Sequence, residues 1–307
     1  MTACTVATSE TTQQSWEYEK LVPCGIVVGV DGSPESIAAF NAGARIARTR
    51  RCAFHAVSVI PPYPAYQIDP GVEASKASVD DLRLQLRSAA LVKLMNAVDA
   101  DPSWTHEVVI GRPAKAIVRI ADERGAELIL VGRTEHGVMD RIMGGETTLQ
   151  IMRLSSIPVL AVANDSQTPH SAVVAVDFSE PSMRAAMKAL ELMRSGTLYL
   201  VHVEPLIVEQ APGMPSASAI TRYPGDIVVW FRKFIEALKV PAGVMVETII
   251  LNGKPVPTLI EFSERVGAGM IAAGSHAHTR MERFLLGSVS TGLVRNASCP
   301  ILVTPGQ

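Results

Sequence analysis

The chain is predicted to be an α/β protein of two tandem domains, each a doubly wound, five-stranded and mostly parallel sheet. Three observations carry this. The length of 307 residues is twice a common domain size of about 150. The two halves repeat one another. Within each half, short unbroken apolar runs alternate with helical patterns, which is the mark of strands buried on both faces of a parallel sheet.

The repeat is read directly from the residues. Laying 111–162 over 253–304 at a constant offset of 142 pairs 14 identical residues, among them Gly111 with Gly253, Gly132 with Gly274, Gly145 with Gly287 and Pro158 with Pro300. Chance gives only a few. Glycine and proline are prominent among them, and those residues set turns, so what repeats is architecture. Upstream, at an offset of 146, Val30-Asp31-Gly32-Ser33 answers Val176-Asp177-Phe178-Ser179. The organisation that follows is a tail over 1–24, a first domain over 25–163, a polar linker NDSQTPHS over 164–171 and a second domain over 172–307.

The elements can be justified in order. Residues 25–30 form an apolar strand, and Ser33 with Pro34 then opens a helix over 34–50. A strand over 53–60 and a helix over 80–99 follow. Next come a strand over 105–110, a helix over 113–124 that starts at Pro113, the apolar strand 127–132, a helix over 146–154 and a last strand over 157–163. The second domain repeats the series, with strands near 172, 198, 245, 269 and 300. Ligands of such sheets bind outside the carboxyl ends of the strands, where strand order reverses. Asp31, Asp177, Gly132 and Gly274 all fall there.

Composition narrows the function classes. Hydrophobic residues at 48% and charged residues at 19% are the balance of a globular protein. A net charge of −2 without a run of like charges offers nothing to nucleic acid. The first 24 residues lack a basic start and an apolar run, and no stretch is apolar enough to span a bilayer, so the cytoplasm is the expected location. Cys4, Cys24, Cys52 and Cys299 show neither a CxxC pair nor metal spacing and read as free thiols, with Cys52 and Cys299 buried.

One constellation carries ligand chemistry. In the second copy Gly274, Ser275, His276 and Ala277 follow a strand, and nine residues later Gly287 and Ser288 open a helix. A glycine at a strand end admits a phosphate to backbone N–H groups, and a helix start offers unpaired N–H groups with the positive end of its dipole. Asp177, closing the first strand of that copy, is placed to hold a ribose hydroxyl or a magnesium-bound phosphate. Plainer readings stand beside this one. The glycines serve as turn residues, Ser288 as a helix N-cap, Asp31 and Asp177 as helix caps, and His276 and His278 as solvated surface residues.

With the V-D-x-S after strand one, the G-x-P before the third helix, GSHAHTRMERFLLGSVS and the closing CPILV, the sequence resembles the universal stress proteins in their tandem two-domain form. The resemblance covers essentially all of the chain beyond residue 24. The ATP-binding branch of that family carries GxxGx9G followed by Ser or Thr, and the second copy departs from it only at Ala277. The resemblance implies ATP or a related adenine nucleotide, with or without magnesium, bound mainly by the second copy. Asp177, Val203, Gly253, Gly274, His276, Ala277, Gly287, Ser288 and Val289 are its implied site residues, with Asp31, Gly132 and Gly145 their counterparts in the first copy. There the loop reads Gly132-Arg133-Thr134-Glu135, nine residues, Gly145-Glu146, with Thr147 and Thr148 following. Two acids stand where phosphates would lie, offset in part by Arg133 and Gly137. The resemblance also implies pairing of the two copies through their last strands as an internal pseudo-twofold dimer, with homo-oligomers beyond that.

Two loops, 61–80 and 205–226, follow the second strand of each copy and overhang the cleft, where Tyr63, Tyr66 and Tyr223 either cover a base or pin the loop. Trp16 and Tyr18 lie in the N-terminal tail. The leading reading is a nucleotide-binding regulatory protein of the stress response, acting through partners or oligomer state. The alternatives are a nucleotide-free scaffold for a protein or small apolar ligand, and a slow ATPase without an identifiable general base. A dinucleotide oxidoreductase is disfavoured because no GxGxxG follows either first strand.

Overall fold

The computed structural model of the chain describes residues 25–62, 73–133, 144–163, 169–204, 226–275 and 286–306. The first half runs β1 (Gly25–Gly29), α1 (Pro34–Arg50), β2 (Phe54–Ile60), α2 (Glu73–Ala97), β3 (Thr105–Ile110), α3 (Pro113–Glu123), β4 (Ala126–Gly132), α4 (Gly144–Leu154) and β5 (Val159–Val162). The second runs β6 (Ser171–Ala175), α5 (Glu180–Leu192), β7 (Gly196–Glu204), α6 (Asp226–Ala237), β8 (Val244–Asn252), α7 (Pro255–Arg265), β9 (Met270–Gly274), α8 (Ser288–Asn296) and β10 (Ile301–Thr304).

Each half contributes five mutually parallel strands, in the order β3-β2-β1-β4-β5 and its counterpart β10-β9-β6-β7-β8. The two sets join edge to edge. β10 pairs with β5 antiparallel, Leu302 opposite Leu160 and Val303 opposite Val159, so the chain has one ten-stranded sheet. Side chains alternate along every strand, and the two faces therefore collect different helices. Ile26, Val28, Leu128 and Leu130 look toward α1, α2, α5 and α6. Val27, Ile129 and Val131 look toward α3, α4, α7 and α8. Burial on both faces explains the unbroken apolar runs read in the sequence.

α2 begins at Glu73, ahead of the expected start at 80. The run EASKASVD contains strong helix formers, and the Ser and Gly around it had suggested loop. α4 likewise starts at Gly144 rather than 146. Tyr63, Tyr66, Tyr223, Trp16, Tyr18, Cys4 and Cys24 lie outside the described residues, while Cys52 is 2% exposed and Cys299 half-buried. Among the described residues no helix is long and apolar enough to cross a membrane.

One buried polar cluster belongs to the first half alone. His55 of β2 is 4% exposed, with Nδ1 at 2.7 Å from Thr105 Oγ1 and Nε2 at 2.7 Å from Glu107 Oε1. Burial pushes its pKa below the usual histidine value, only partly opposed by the Glu107 carboxylate. Tyr199 occupies the corresponding place on β7 and meets Phe262 edge to face.

Candidate functional site

In each half the candidate residues gather at the carboxyl ends of the strands, at the point where neighbouring strands leave in opposite directions. After β6, Val176 extends the ladder by donating its N–H to Val201 O at 2.8 Å. The chain then turns through Asp177 and Phe178 into α5. Asp177 Oδ1 accepts from the Ser179 N–H at 3.0 Å and the Ser179 hydroxyl at 2.5 Å. Ser179 Oγ in turn accepts from the Ser182 N–H. The helix cap is therefore the serine, and the aspartate braces it from outside. Asp31, Ser33 and Ser36 repeat this arrangement before α1.

The two turns differ at the residue after the aspartate. That position takes a left-handed conformation in both, with φ of 89° at Gly32 and 63° at Phe178. Glycine adopts it freely, and a bulky side chain does so at a cost of roughly 1–2 kcal/mol. The Phe178 ring compensates by packing at 5.0 Å from His202, 5.3 Å from Trp230 and 5.0 Å from Phe231. His202 Nδ1 meets Val176 O at 2.7 Å, which ties β7 to the end of β6 beside Asp177. In the first half the same space is served by α2. Arg87 donates to Asp31 O and Arg83 to Pro61 O, so guanidinium groups sit on the strand-end carbonyls. Burial pushes the Asp31 carboxyl up, but hydrogen bonds from the Ser33 hydroxyl and N–H and from Ser36, with Arg87 nearby, hold it below the usual carboxylate value.

Gly132 and Gly274 have the same structural reason. A Cβ on Gly274 would stand 2.5 Å from Pro181 C, and one on Gly132 would stand 2.5 Å from Ser36 N. Each glycine lets a strand end press against the first turn of a helix, and neither has the positive φ of a turn glycine. The carbonyls of both accept from hydroxyls that the sequence reading did not assign: Ser290 Oγ to Gly274 O at 3.0 Å, and Thr148 Oγ1 to Gly132 O at 3.1 Å. Thr148 is thus engaged within the fold. These two occupy one column of the repeat, and their shared hydroxyl is the signal by which they are found.

The second half opens a cleft of about 390 Å³ between these parts. Asp177, His202 and Val203, Pro255 and Leu259 of α7, and Gly287, Ser288, Val289 and Ser290 line it. Gly253, φ 148°, turns the chain from β8 into α7 and leaves Thr258 Oγ1 where a Cβ would lie. Gly287, not Ser288, is the N-cap of α8, and no side chain caps that helix. The first N–H groups of α8 accordingly face the cleft with the positive end of the helix dipole, an arrangement suited to an anion. His276 and Ala277 lie outside the described residues, as do Thr134, Glu135 and Gly137. Gly145 falls within the first turn of α4 rather than before it.

Arg133 departs most from expectation. It does not face a phosphate site in its own half. Its side chain is 3% exposed and crosses to the other half, where Nη1 donates to Val294 O and Nη2 to Cys299 O, each at 3.2 Å. Burial pushes the Cys299 thiol up, against a smaller opposing influence of Arg133.

Comparison with known proteins places this architecture. The chain is 28% identical over 300 residues to a universal stress protein of Mycobacterium tuberculosis strain H37Rv, covering 91% of this chain and 96% of the relative. A universal stress protein of Methanocaldococcus jannaschii is 31% identical over 137 residues, 43% of this chain and 79% of that one. The crystal structure of a universal stress protein from Archaeoglobus fulgidus superposes with a TM-score of 0.64 at 18% identity, covering 92% of this chain and 98% of the other, which shows a shared fold. Both halves match the sequence model of the Universal stress protein family, over residues 25–163 and 170–305, and the chain belongs to that family.

Proposed function

We propose that the second half binds an adenine nucleotide and that the protein acts as a regulatory sensor, changing its partners or assembly with the ligand. The observation that carries this is the cleft itself. At about 390 Å³ it falls within the size range of small-molecule sites, and its lining combines a helix start, a carboxylate and apolar side chains. The uncapped start of α8, with Gly287, Ser288 and Val289, suits phosphate groups. Asp177 and the apolar end of β7 at Val203 suit a ribose and a base. Magnesium, when bound with the nucleotide, would supply charge neutralisation of the phosphates, and Asp177 is the carboxylate among the described lining residues that would help hold it. The first half is the weaker binder in this reading, because Arg83 and Arg87 already cover its strand-end carbonyls.

A second reading, a nucleotide-free scaffold, is favoured by Gly132 and Gly274, since packing against α1 and α5 accounts for both without a ligand. Isothermal titration with Mg-ATP separates the two. The sensor reading expects about one site per chain, lost in Asp177→Ala and in a Gly287→Val, Ser288→Ala double variant, and kept in Asp31→Ala. Absence of binding heat, with no nucleotide released on denaturation, establishes the scaffold instead. Equal losses in Asp177→Ala and Asp31→Ala contradict the ranking of the halves.

A further inference from the structure

We propose that Arg133 of the first half is a positioning residue for the cleft of the second, a cross-half latch on helix α8. The proposal rests on the nucleotide reading for its ligand, and on geometry of its own for the coupling. α8 is a nine-residue helix whose first turn forms the anion end of the cleft. Its last carbonyls have no partner within the helix and need donors from elsewhere. Leu293 O is met by the Ala297 N–H, and Arg133 supplies a donor to Val294 O in the last turn and another to Cys299 O just beyond the helix. A guanidinium at a helix C-terminus also complements the negative end of the dipole. Burying a guanidinium this deeply costs less when its N–H groups are met, so the two carbonyls that accept from Nη1 and Nη2 favour one position for the helix.

The repeat shows that the latch is built into one half only. In the first half the corresponding helix end is closed locally: Ser155 Oγ donates to Ile157 O at 2.8 Å and accepts from the Ile157 N–H at 2.9 Å. At the repeat offset of 142, Ser155 corresponds to Ala297 and Ile157 to Cys299. The second half therefore lacks the local hydroxyl, and the carbonyl it would serve is taken by Arg133. The position matching Arg133 is Ser275, whose side chain is too short to cross in the other direction. The Arg133 contact runs from the end of β4 to α8; the guanidinium contact in the other direction, from Arg194 Nη2 to Thr49 O at 3.4 Å, is exposed and reaches the last turn of α1 rather than α4.

The test uses the full chain with Mg-ATP as the probe, well below the unfolding temperature. Arg133→Met keeps the apolar stem and removes the donors. It is expected to weaken Mg-ATP binding by roughly ten-fold, the scale of a lost charge-assisted hydrogen bond, and Ala297→Ser added to it is expected to recover part of that loss. Should Arg133→Met fail to fold, Arg133→Lys keeps the charge without the fork and is expected to weaken binding by about three-fold. A lowered melting temperature with unchanged affinity overturns the proposal, because it assigns Arg133 to stability alone. If the unaltered protein binds no Mg-ATP, the nucleotide reading fails and the latch is judged by hydrogen exchange at the Thr291 amide, which bonds to Gly287 O at the cleft. Faster exchange there, with the central strand amides unchanged, supports the latch. An unchanged Thr291, or a uniform rise across the chain, overturns it.

Discussion

The two halves use one scaffold and finish it in opposite ways at the carboxyl ends of their strands. In the first, glycine takes the left-handed position after the aspartate, and arginines from α2 lie over the exposed carbonyls. In the second, Phe178 takes that position under strain, and α6 brings Trp230 instead of a charge. Arg87 and Trp230 are both partly exposed residues of the helix that follows the second strand of each half. The difference teaches that the duplicated fold keeps its strand order and varies side chains where strands end, as it also does within the strands at His55 and Tyr199. Phe178 holds its conformation because its ring, packed on His202 and Phe231, offsets the backbone cost.

The comparison can be broken most sharply at the glycines. Gly132→Ala and Gly274→Ala are each expected to destabilise the protein by about 1–3 kcal/mol in denaturant titrations, since each Cβ meets helix backbone. Full stability with loss of ligand in Gly274→Ala alone would assign that glycine to binding. A smaller effect is expected at the turn. Phe178→Gly removes backbone strain but deletes an aromatic ring, for a net loss of about 1–2 kcal/mol, whereas Gly32→Ala is expected to cost about 1 kcal/mol, from backbone strain and from a Cβ standing 3.0 Å from Arg87 Nη1. A stabilised Phe178→Gly variant would show that the aromatic cluster does not offset the strain.

The smallest effect concerns pH. His55 has a folded-state pKa below its unfolded value of about 6.5, so its contribution to stability is complete above that pH and is lost as pH falls toward the folded value. The unfolded chain takes up the proton first. Chemical denaturation of the wild type between pH 7 and 5 should therefore show a steeper loss of stability than that of His55→Gln, and parallel slopes would remove His55 from the account.

Much of the fold was legible because duplication and strand burial leave local marks. The offset of 142 aligned Gly132 with Gly274, and the apolar runs located the strands within a few residues. Of the site, Asp177, Val203, Gly274, Gly287, Ser288 and Val289 do line one cleft. Their roles were less legible. The N-cap of α8 is Gly287 rather than Ser288, and the caps of α1 and α5 are Ser33 and Ser179 rather than the aspartates beside them. Such assignments depend on which atom reaches an N–H, and motif spacing is the same for either neighbour.

The amino-acid order by itself determined the family, the repeat, the alternation of strands and helices and the neighbourhood of the cleft, because these follow from hydrophobic period and from residues that restrict backbone torsions. Only the tertiary structure decided what Gly274 and Arg133 do. Gly274 is required by Pro181, and Arg133 is claimed by carbonyls of the opposite half. Both contacts join residues far apart in the chain, brought together by sheet order and by the β5–β10 seam, and no local pattern encodes where such a side chain ends.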